Sequence, residues 1–187
     1  MTDKIYITAE DLLIDSFRLG AEIINSGFEP NFIIGVWRGG TPVGIAVQEL
    51  LDYHGFKTDH IAIRTSSYRG IGDRGDSVMV HGLGYLIRKI NAEDRLLIVD
   101  DVYDSGLSVK AVLDTLSARA RKNTPNDIRI ATPWFKPGNN KSGRIPDYYL
   151  HETDRWLVFP HELDGVSKEE LIENKPGIES IFSSINR

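Results

Sequence analysis

One stretch constrains this chain more than any other. The aliphatic residues Leu96-Leu97-Ile98-Val99 stop at the acid pair Asp100-Asp101, and Val102 and Tyr103 then lead into Asp104-Ser105-Gly106-Leu107-Ser108. An unbroken aliphatic run, half of it β-branched, that ends at once on charge has the pattern of a strand buried on both faces. Beyond it Val109, Val112, Leu113, Leu116 and Ala120 recur at helical spacing. Residues 104–108 must then form the strand-to-helix turn, with Ser108 as the predicted N-cap.

Such a turn gathers backbone N–H groups and two hydroxyls at the positive end of a helix, which suits a phosphate. The two carboxylates just upstream would repel a bare phosphate. Their natural partners are hydroxyl groups, which donate to carboxylate, or Mg²⁺, which prefers hard oxygen ligands. Hydroxyls beside a phosphate describe a sugar phosphate. Alone, Asp100-Asp101 reads more readily as a solvated loop. With Asp104, Ser105, Gly106 and Ser108 following in order between a buried strand and a helix, the ligand reading prevails.

This run resembles the phosphoribosyl pyrophosphate (PRPP) signature of type I phosphoribosyltransferases, in which aliphatic residues precede two acids and an Asp-Ser/Thr-Gly-x-Ser/Thr loop. Tyr103 departs from it, standing where the family usually has a small aliphatic residue. The resemblance implies that Asp100 and Asp101 hold the ribose hydroxyls directly or through Mg²⁺. It also implies that Asp104, Ser105, Gly106, Leu107 and Ser108 cradle the 5′-phosphate.

The chain upstream has a second turn of the same kind. Thr8-Ala9-Glu10-Asp11 reads as a capping-box-like start to a helix with Leu13, Phe17, Ala21 and Ile24 on one face and Gly27 at its end. Phe32 to Val36 reads as a buried strand running into Trp37-Arg38-Gly39-Gly40-Thr41-Pro42. Pro42 is the expected first residue of a helix that carries Val43, Ala46, Val47, Leu50 and Leu51. A glycine pair there lets backbone approach a ligand and turns N–H groups toward an anion, while the bland alternative is a tight turn with a solvated arginine. In the purine phosphoribosyltransferases that the chain resembles, an Arg-Gly-Gly turn binds pyrophosphate and often carries a non-proline cis peptide. The resemblance places that function on Arg38, Gly39 and Gly40, and the cis bond at Trp37–Arg38.

His60 to Arg64 alternates like a strand before the pattern dissolves into a glycine-rich, charged segment. Gly70, Gly72 and Gly75 match the spacing of a dinucleotide fingerprint, but Ser77 to Val80 looks like a strand where that motif requires a helix, so the match is rejected. The resemblance makes residues 65–82 a flexible lid whose Ser67 and Tyr68 close over the reaction centre and keep water from the ribosyl cation. Gly82 to Ile90 reads as a short helix, and Ile128 to Thr132 as the next strand, ended by Pro133 and the residues after it. The alternation of strand and helix predicts an α/β fold, a mostly parallel central sheet flanked by helices. Both turns leave C-terminal strand ends, where open sheets of this kind bind ligands.

The third informative region is residues 134–165. Lys136 follows the strand, Asp147 to Leu150 is a strand candidate, and Asp154-Arg155-Trp156-Leu157 is an aromatic segment. On the residues alone, Lys136 is a solvated strand-end lysine or a donor to a purine oxygen, and Trp156 a core residue or a stacking face. Trp134 is the stronger core candidate. The pattern is similar to purine-salvage enzymes of the xanthine–guanine type, and that likeness implies a small base-binding hood. In it Lys136 contacts the purine 6-oxygen, Trp156 stacks on the ring, the Leu157 backbone reads the base edge, and Glu162 lies near the 2-substituent or metal. The five histidines show no metal spacing, and Ser167 to Glu170 reads as a capping box ahead of C-terminal helices.

Composition narrows the partners. A net charge of −5 gives no general attraction for nucleic acid or an anionic membrane, and the absence of cysteine excludes disulfides and thiolate chemistry. Neither a signal peptide nor a membrane-length apolar run is evident, so a cytoplasmic protein acting on small molecules is expected. The sequence thus predicts one domain over residues 1–187. The resemblance implies a Mg²⁺-dependent transferase that uses PRPP and a 6-oxopurine, releases nucleoside monophosphate and pyrophosphate, and assembles as a dimer or tetramer. A phosphoribosyltransferase for another base, such as a pyrimidine, and a PRPP-sensing regulator are the alternatives.

Overall fold

The computed structural model describes residues 3–68 and 77–185. The chain forms two compact units, one of residues before Leu13 and after Asp154, the other Leu13–Asp154.

The larger unit is built on a seven-stranded sheet. Its strands are β2 (Phe32–Trp37), β3 (Asp59–Tyr68), β4 (Ser77–His81), β5 (Arg95–Val99), β6 (Val102–Tyr103), β7 (Asp127–Phe135) and β8 (Tyr148–Glu152), and β1 (Lys4–Tyr6) belongs to the smaller unit. Every pairing is parallel except the β3–β4 hairpin. Phe32–Gly35 of β2 pairs with Leu96–Val99 of β5, which places the two strands that lead into the candidate turns side by side at the centre of the sheet.

The helices are α1 (Ala9–Asn25), α2 (Gly40–Tyr53), α3 (Gly84–Ile87) and α4 (Leu107–Ala120), with α5 (Lys168–Asn174) and α6 (Ile178–Ser184) at the C-terminus. On one face of the sheet Ile34, Val36, Leu96, Ile98 and Ile130 pack with Leu83, Leu86, Val109, Val112 and Leu116. On the other α2 approaches closely, since a Cβ on Gly44 would lie 3.6 Å from the Gly35 Cα and 3.9 Å from the Val99 Cβ. The predicted mostly parallel α/β sheet with helices on both faces is therefore the observed architecture.

Several local expectations need correction. The buried side of α1 carries Leu12, Ser16, Leu19 and Ile23, while Leu13 is 48% exposed, so the packing face is not the Leu13, Phe17, Ala21 and Ile24 stripe. Small residues decide this, because Gly20 lets α1 close on α2 with an added Cβ only 3.0 Å from the Leu50 Cδ2. Helix α2 starts at Gly40, two residues ahead of Pro42, and α4 starts at Leu107 behind a left-handed Gly106, so Ser108 is not its N-cap.

Strand β7 runs through Pro133 to Phe135 instead of ending there. The reason lies in its register. Val99 pairs with Ala131 and Val102 with Trp134, so β6 continues the line of β5 with Asp100 and Asp101 as the break between them. The Asp100 N–H still donates to the Ala131 carbonyl at 3.2 Å. In a parallel ladder the next bond would come from the N–H of residue 133, which proline lacks. The proline opens the ladder beside the acid pair without ending the strand.

The smaller unit pairs β1 in parallel with β9 (Trp156–Val158). Ser167 caps α5 in the predicted capping box with Glu170. Among the described residues no helix is long and apolar enough to cross a membrane.

Candidate active site

The turn after β2 and the turn after β5 meet. Gly39 and Gly40 are buried against the acid pair: a Cβ on Gly39 would fall 1.6 Å from the Asp101 Oδ2, and one on Gly40 2.5 Å from the Val99 carbonyl and 2.7 Å from the Asp100 Cα. Glycine is required here by close approach of backbone and carboxylate. The Trp37–Arg38 peptide bond is cis. Arg38 itself is exposed beside this junction, and its carbonyl accepts from the Thr41 N–H at 3.1 Å.

The acid pair is fixed by its own backbone. The Asp101 N–H donates to the Asp100 Oδ1 at 3.0 Å, and the Val102 N–H to the Asp101 Oδ1 at 2.9 Å. Asp100 keeps some accessible surface, yet protein encloses its carboxyl, and that desolvation, with the charge of Asp101 next, pushes its pKa well above the usual carboxylate range. The Gly40 N–H donates to the same carboxyl and works in the opposite direction. Crowding of this kind is relieved by a proton, a cation or a hydroxyl donor. Among the described residues no cluster of three or more metal-ligating side chains occurs.

Residues 104–106 form the turn into α4, whose first residues are Leu107 and Ser108. Gly106 has φ 72°, and a Cβ there would meet the Ser142 Oγ at 2.5 Å and the Tyr103 hydroxyl at 2.7 Å. The Leu107 N–H points back to the Ser105 Oγ at 3.4 Å, and the Thr65 hydroxyl of β3 donates to the Ser108 Oγ, also at 3.4 Å. Tyr103 is fully buried, its ring edge-on to Phe135 at 6.0 Å and its hydroxyl 2.8 Å from the Ser142 Oγ. The residue that departs from the family pattern thus fills space beneath the turn.

Lys136 stands beside Asp104, Nζ to Oδ2 3.7 Å, with the lysine side chain 12% exposed and the aspartate 46%. Its N–H donates to the Tyr103 carbonyl at 2.9 Å, so β6 fixes where the lysine leaves β7. Ser67 and Tyr68 close β3, their backbones paired with Val78 and Ser77 of β4. Of the predicted lid, residues 69–76 lie outside the described residues, including Gly70, Gly72 and Gly75. The strand at Ser77 that argued against the dinucleotide motif is present.

Trp156, Leu157 and Glu162 belong to the smaller unit. Trp156 is 45% exposed, with the Lys4 ammonium 5.4 Å over its ring, and is no core residue. Leu157 is buried in register with Ile5. Glu162 folds back on its own turn, its carboxylate accepting from the Phe159 N–H at 3.1 Å. Trp134 is only partly buried and lies 4.4 Å from the His151 ring.

Sequence reasoning missed the loop of residues 139–144 as part of this site. The Lys141 N–H donates to the Ser105 carbonyl at 3.0 Å, and Ser142 reaches Tyr103. Its only signal was the unusual tyrosine at 103.

The phosphoribosyl transferase domain family matches residues 6–164. Among solved structures, a purine phosphoribosyltransferase from Pyrococcus horikoshii is 27% identical, with TM-score 0.67 over 88% of this chain and 98% of that one. A hypothetical protein from Neisseria gonorrhoeae with bound ppGpp is 22% identical, with TM-score 0.69 over 88% and 92%. A Helicobacter pylori xanthine-guanine-hypoxanthine phosphoribosyltransferase is 21% identical, with TM-score 0.65 over 87% and 95%. No curated protein matches the sequence.

Proposed function

Because the chain belongs to the phosphoribosyl transferase family, we propose that it transfers the phosphoribosyl group of PRPP to a 6-oxopurine. The observation that carries this reading is the meeting of Gly39 and Gly40 with Asp100 and Asp101, which joins an anion-binding turn to a hydroxyl-binding acid pair beside a phosphate-type turn. The likeness to the Pyrococcus purine enzyme and the lysine beside Asp104 favour a purine acceptor.

In the reaction the bond from ribose C1 to the pyrophosphate oxygen breaks and pyrophosphate leaves with the electron pair. A purine ring nitrogen forms the new bond to C1. Arg38 and the Gly39 N–H hold the leaving pyrophosphate, while Gly40 closes the turn by donating its N–H to the Asp100 carboxyl. Asp100 and Asp101 hold the two ribose hydroxyls, and the carboxylates offset positive charge developing on the sugar. Backbone and hydroxyls from Ser105, Gly106, Leu107 and Ser108 hold the 5′-phosphate at the start of α4. Asp104 accepts the proton at the purine N7 region, and Lys136 donates to the 6-oxygen. The resemblance gives Trp156 the ring face, the Leu157 backbone and Glu162 the remaining base edge, and Ser67 and Tyr68 the closing lid.

Adjacent carboxylates whose mutual repulsion a cation offsets suit a hard divalent ion. Mg²⁺, bound with PRPP by Asp100 and Asp101, would supply neutralisation of the departing pyrophosphate.

The test is pyrophosphate release from PRPP with Mg²⁺, measured separately with hypoxanthine, guanine, xanthine, adenine and uracil. Release with a 6-oxopurine is the expected result. Release with uracil alone would make the chain a pyrimidine enzyme. Silence with all five despite PRPP binding would make it a PRPP-sensing protein. Sedimentation of the same sample tests the expected homo-oligomer.

A further inference from the structure

The proposed 5′-phosphate turn has an electrostatic deficit. A phosphate placed there sits near Asp100, Asp101 and Asp104, and residues 104–108 contribute no cation of their own. Among the described residues, two lysines beside the turn are engaged: Lys110 pairs with Asp114 at 2.6 Å, and Lys136 with Asp104 at 3.7 Å. Arg144 donates to the Ile128 carbonyl at 2.7 Å and to Asp147 at 3.2 Å. Lys141 differs. Its backbone N–H is bonded to the Ser105 carbonyl at 3.0 Å, which fixes the residue against the turn. Its side chain is exposed and has no ion-pair partner among the described residues.

The loop that carries Lys141 is built rather than loose. The Ser142 Oγ lies 2.8 Å from the Tyr103 hydroxyl and donates to the Asn140 Oδ1 at 2.9 Å. The Arg144 N–H donates to the Ser142 Oγ at 3.1 Å, and the Asn140 amide to the Arg144 carbonyl at 2.9 Å. Tyr103 and Ser142 together occupy the space that a side chain at Gly106 would need, so this loop and the phosphate turn are packed as one body.

We propose that residues 139–144 form an outer wall of the 5′-phosphate site, with Lys141 supplying its cation and the Tyr103–Ser142 hydroxyl pair positioning it. The proposal rests on the phosphoribosyl reading above. It separates the charge duties within one ligand: Arg38 serves the pyrophosphate end and Lys141 the 5′-phosphate end.

The experiment is calorimetric titration of PRPP, and separately of inorganic pyrophosphate, into wild type, Lys141→Gln, Lys141→Arg and Tyr103→Phe in Mg²⁺ buffer at low and high salt. Lys141→Gln should bind PRPP about 3- to 10-fold more weakly at low salt, a difference that shrinks as salt screens it. Pyrophosphate binding should not change, and Lys141→Arg should restore PRPP affinity. Tyr103→Phe should weaken PRPP binding in the wild-type background and add little to Lys141→Gln, because both act through the same wall. Wild-type PRPP affinity in Lys141→Gln, or an equal loss for pyrophosphate, overturns the assignment of Lys141 alone. Failure of the wild-type protein to bind PRPP overturns the phosphoribosyl reading and this proposal with it.

Discussion

At Gly106 a left-handed backbone coincides with a filled neighbourhood, since an added Cβ lies 2.5 Å from the Ser142 Oγ and 2.7 Å from the Tyr103 ring. Gly106→Ala should therefore destabilise the protein by about 1–3 kcal/mol and weaken PRPP binding, which thermal unfolding and calorimetry would show. Asp100 gives the opposite sign. Its pKa is raised in the folded protein, so the ionised carboxyl costs stability at neutral pH, and the cost fades as pH falls through the folded value toward the ordinary carboxylate range. Asp100→Asn should raise the Tm at pH 7 by roughly a few degrees, lose that advantage in acid, and abolish transfer. A variant that is destabilised at pH 7 would show that burial and the Asp101 charge do not govern Asp100. These residues were legible because glycine, acid and hydroxyl stand next to one another in the chain.

Elements were legible where local pattern decides them and not where a distant neighbour does. The strand through Leu96–Val99 and the helix after it follow from an aliphatic run and a helical repeat. In α1, two stripes have equal helical spacing, and the choice between them falls to Gly20 and its approach to Leu50. Strand β7 continues through Pro133 because its proline faces the break at Asp100, a register that no local signal encodes. The start of α1 was readable: the Thr8 Oγ1 accepts from the Asp11 N–H at 3.0 Å. Thr8→Ala should cost about 1 kcal/mol and lower the Tm by roughly 2–4 °C, and an unchanged Tm would show that this cap does not support the helix.

On the scale of the whole molecule, the smaller unit has an acid-sensitive tie in the Lys4 ammonium, 2.8 Å and 2.9 Å from the Glu170 carboxylate oxygens. Lys4 and then the Ser167 N–H hold the Glu170 pKa down to about 2 from the ordinary 4.5. A depressed carboxyl stabilises the fold above its unfolded pKa, and the contribution is lost as pH falls through the folded one. Wild type and Glu170→Gln should differ in Tm above about pH 5 and converge near pH 2, and parallel curves across that range would show that the ion pair is idle.

The neighbouring β2 and β5 bring together two turns at the ends of two strands, and on the proposed function PRPP is held where Gly39 meets Asp101. Calorimetric titration of PRPP with Mg²⁺ into wild type and Gly39→Ala tests it directly. An added Cβ 1.6 Å from the Asp101 Oδ2 must displace that carboxylate. Clear binding by wild type is expected, with at least about a tenfold loss in a folded Gly39→Ala protein, the scale that follows when an approach this close is obstructed. Equal binding by both proteins, or none by wild type, would contradict it.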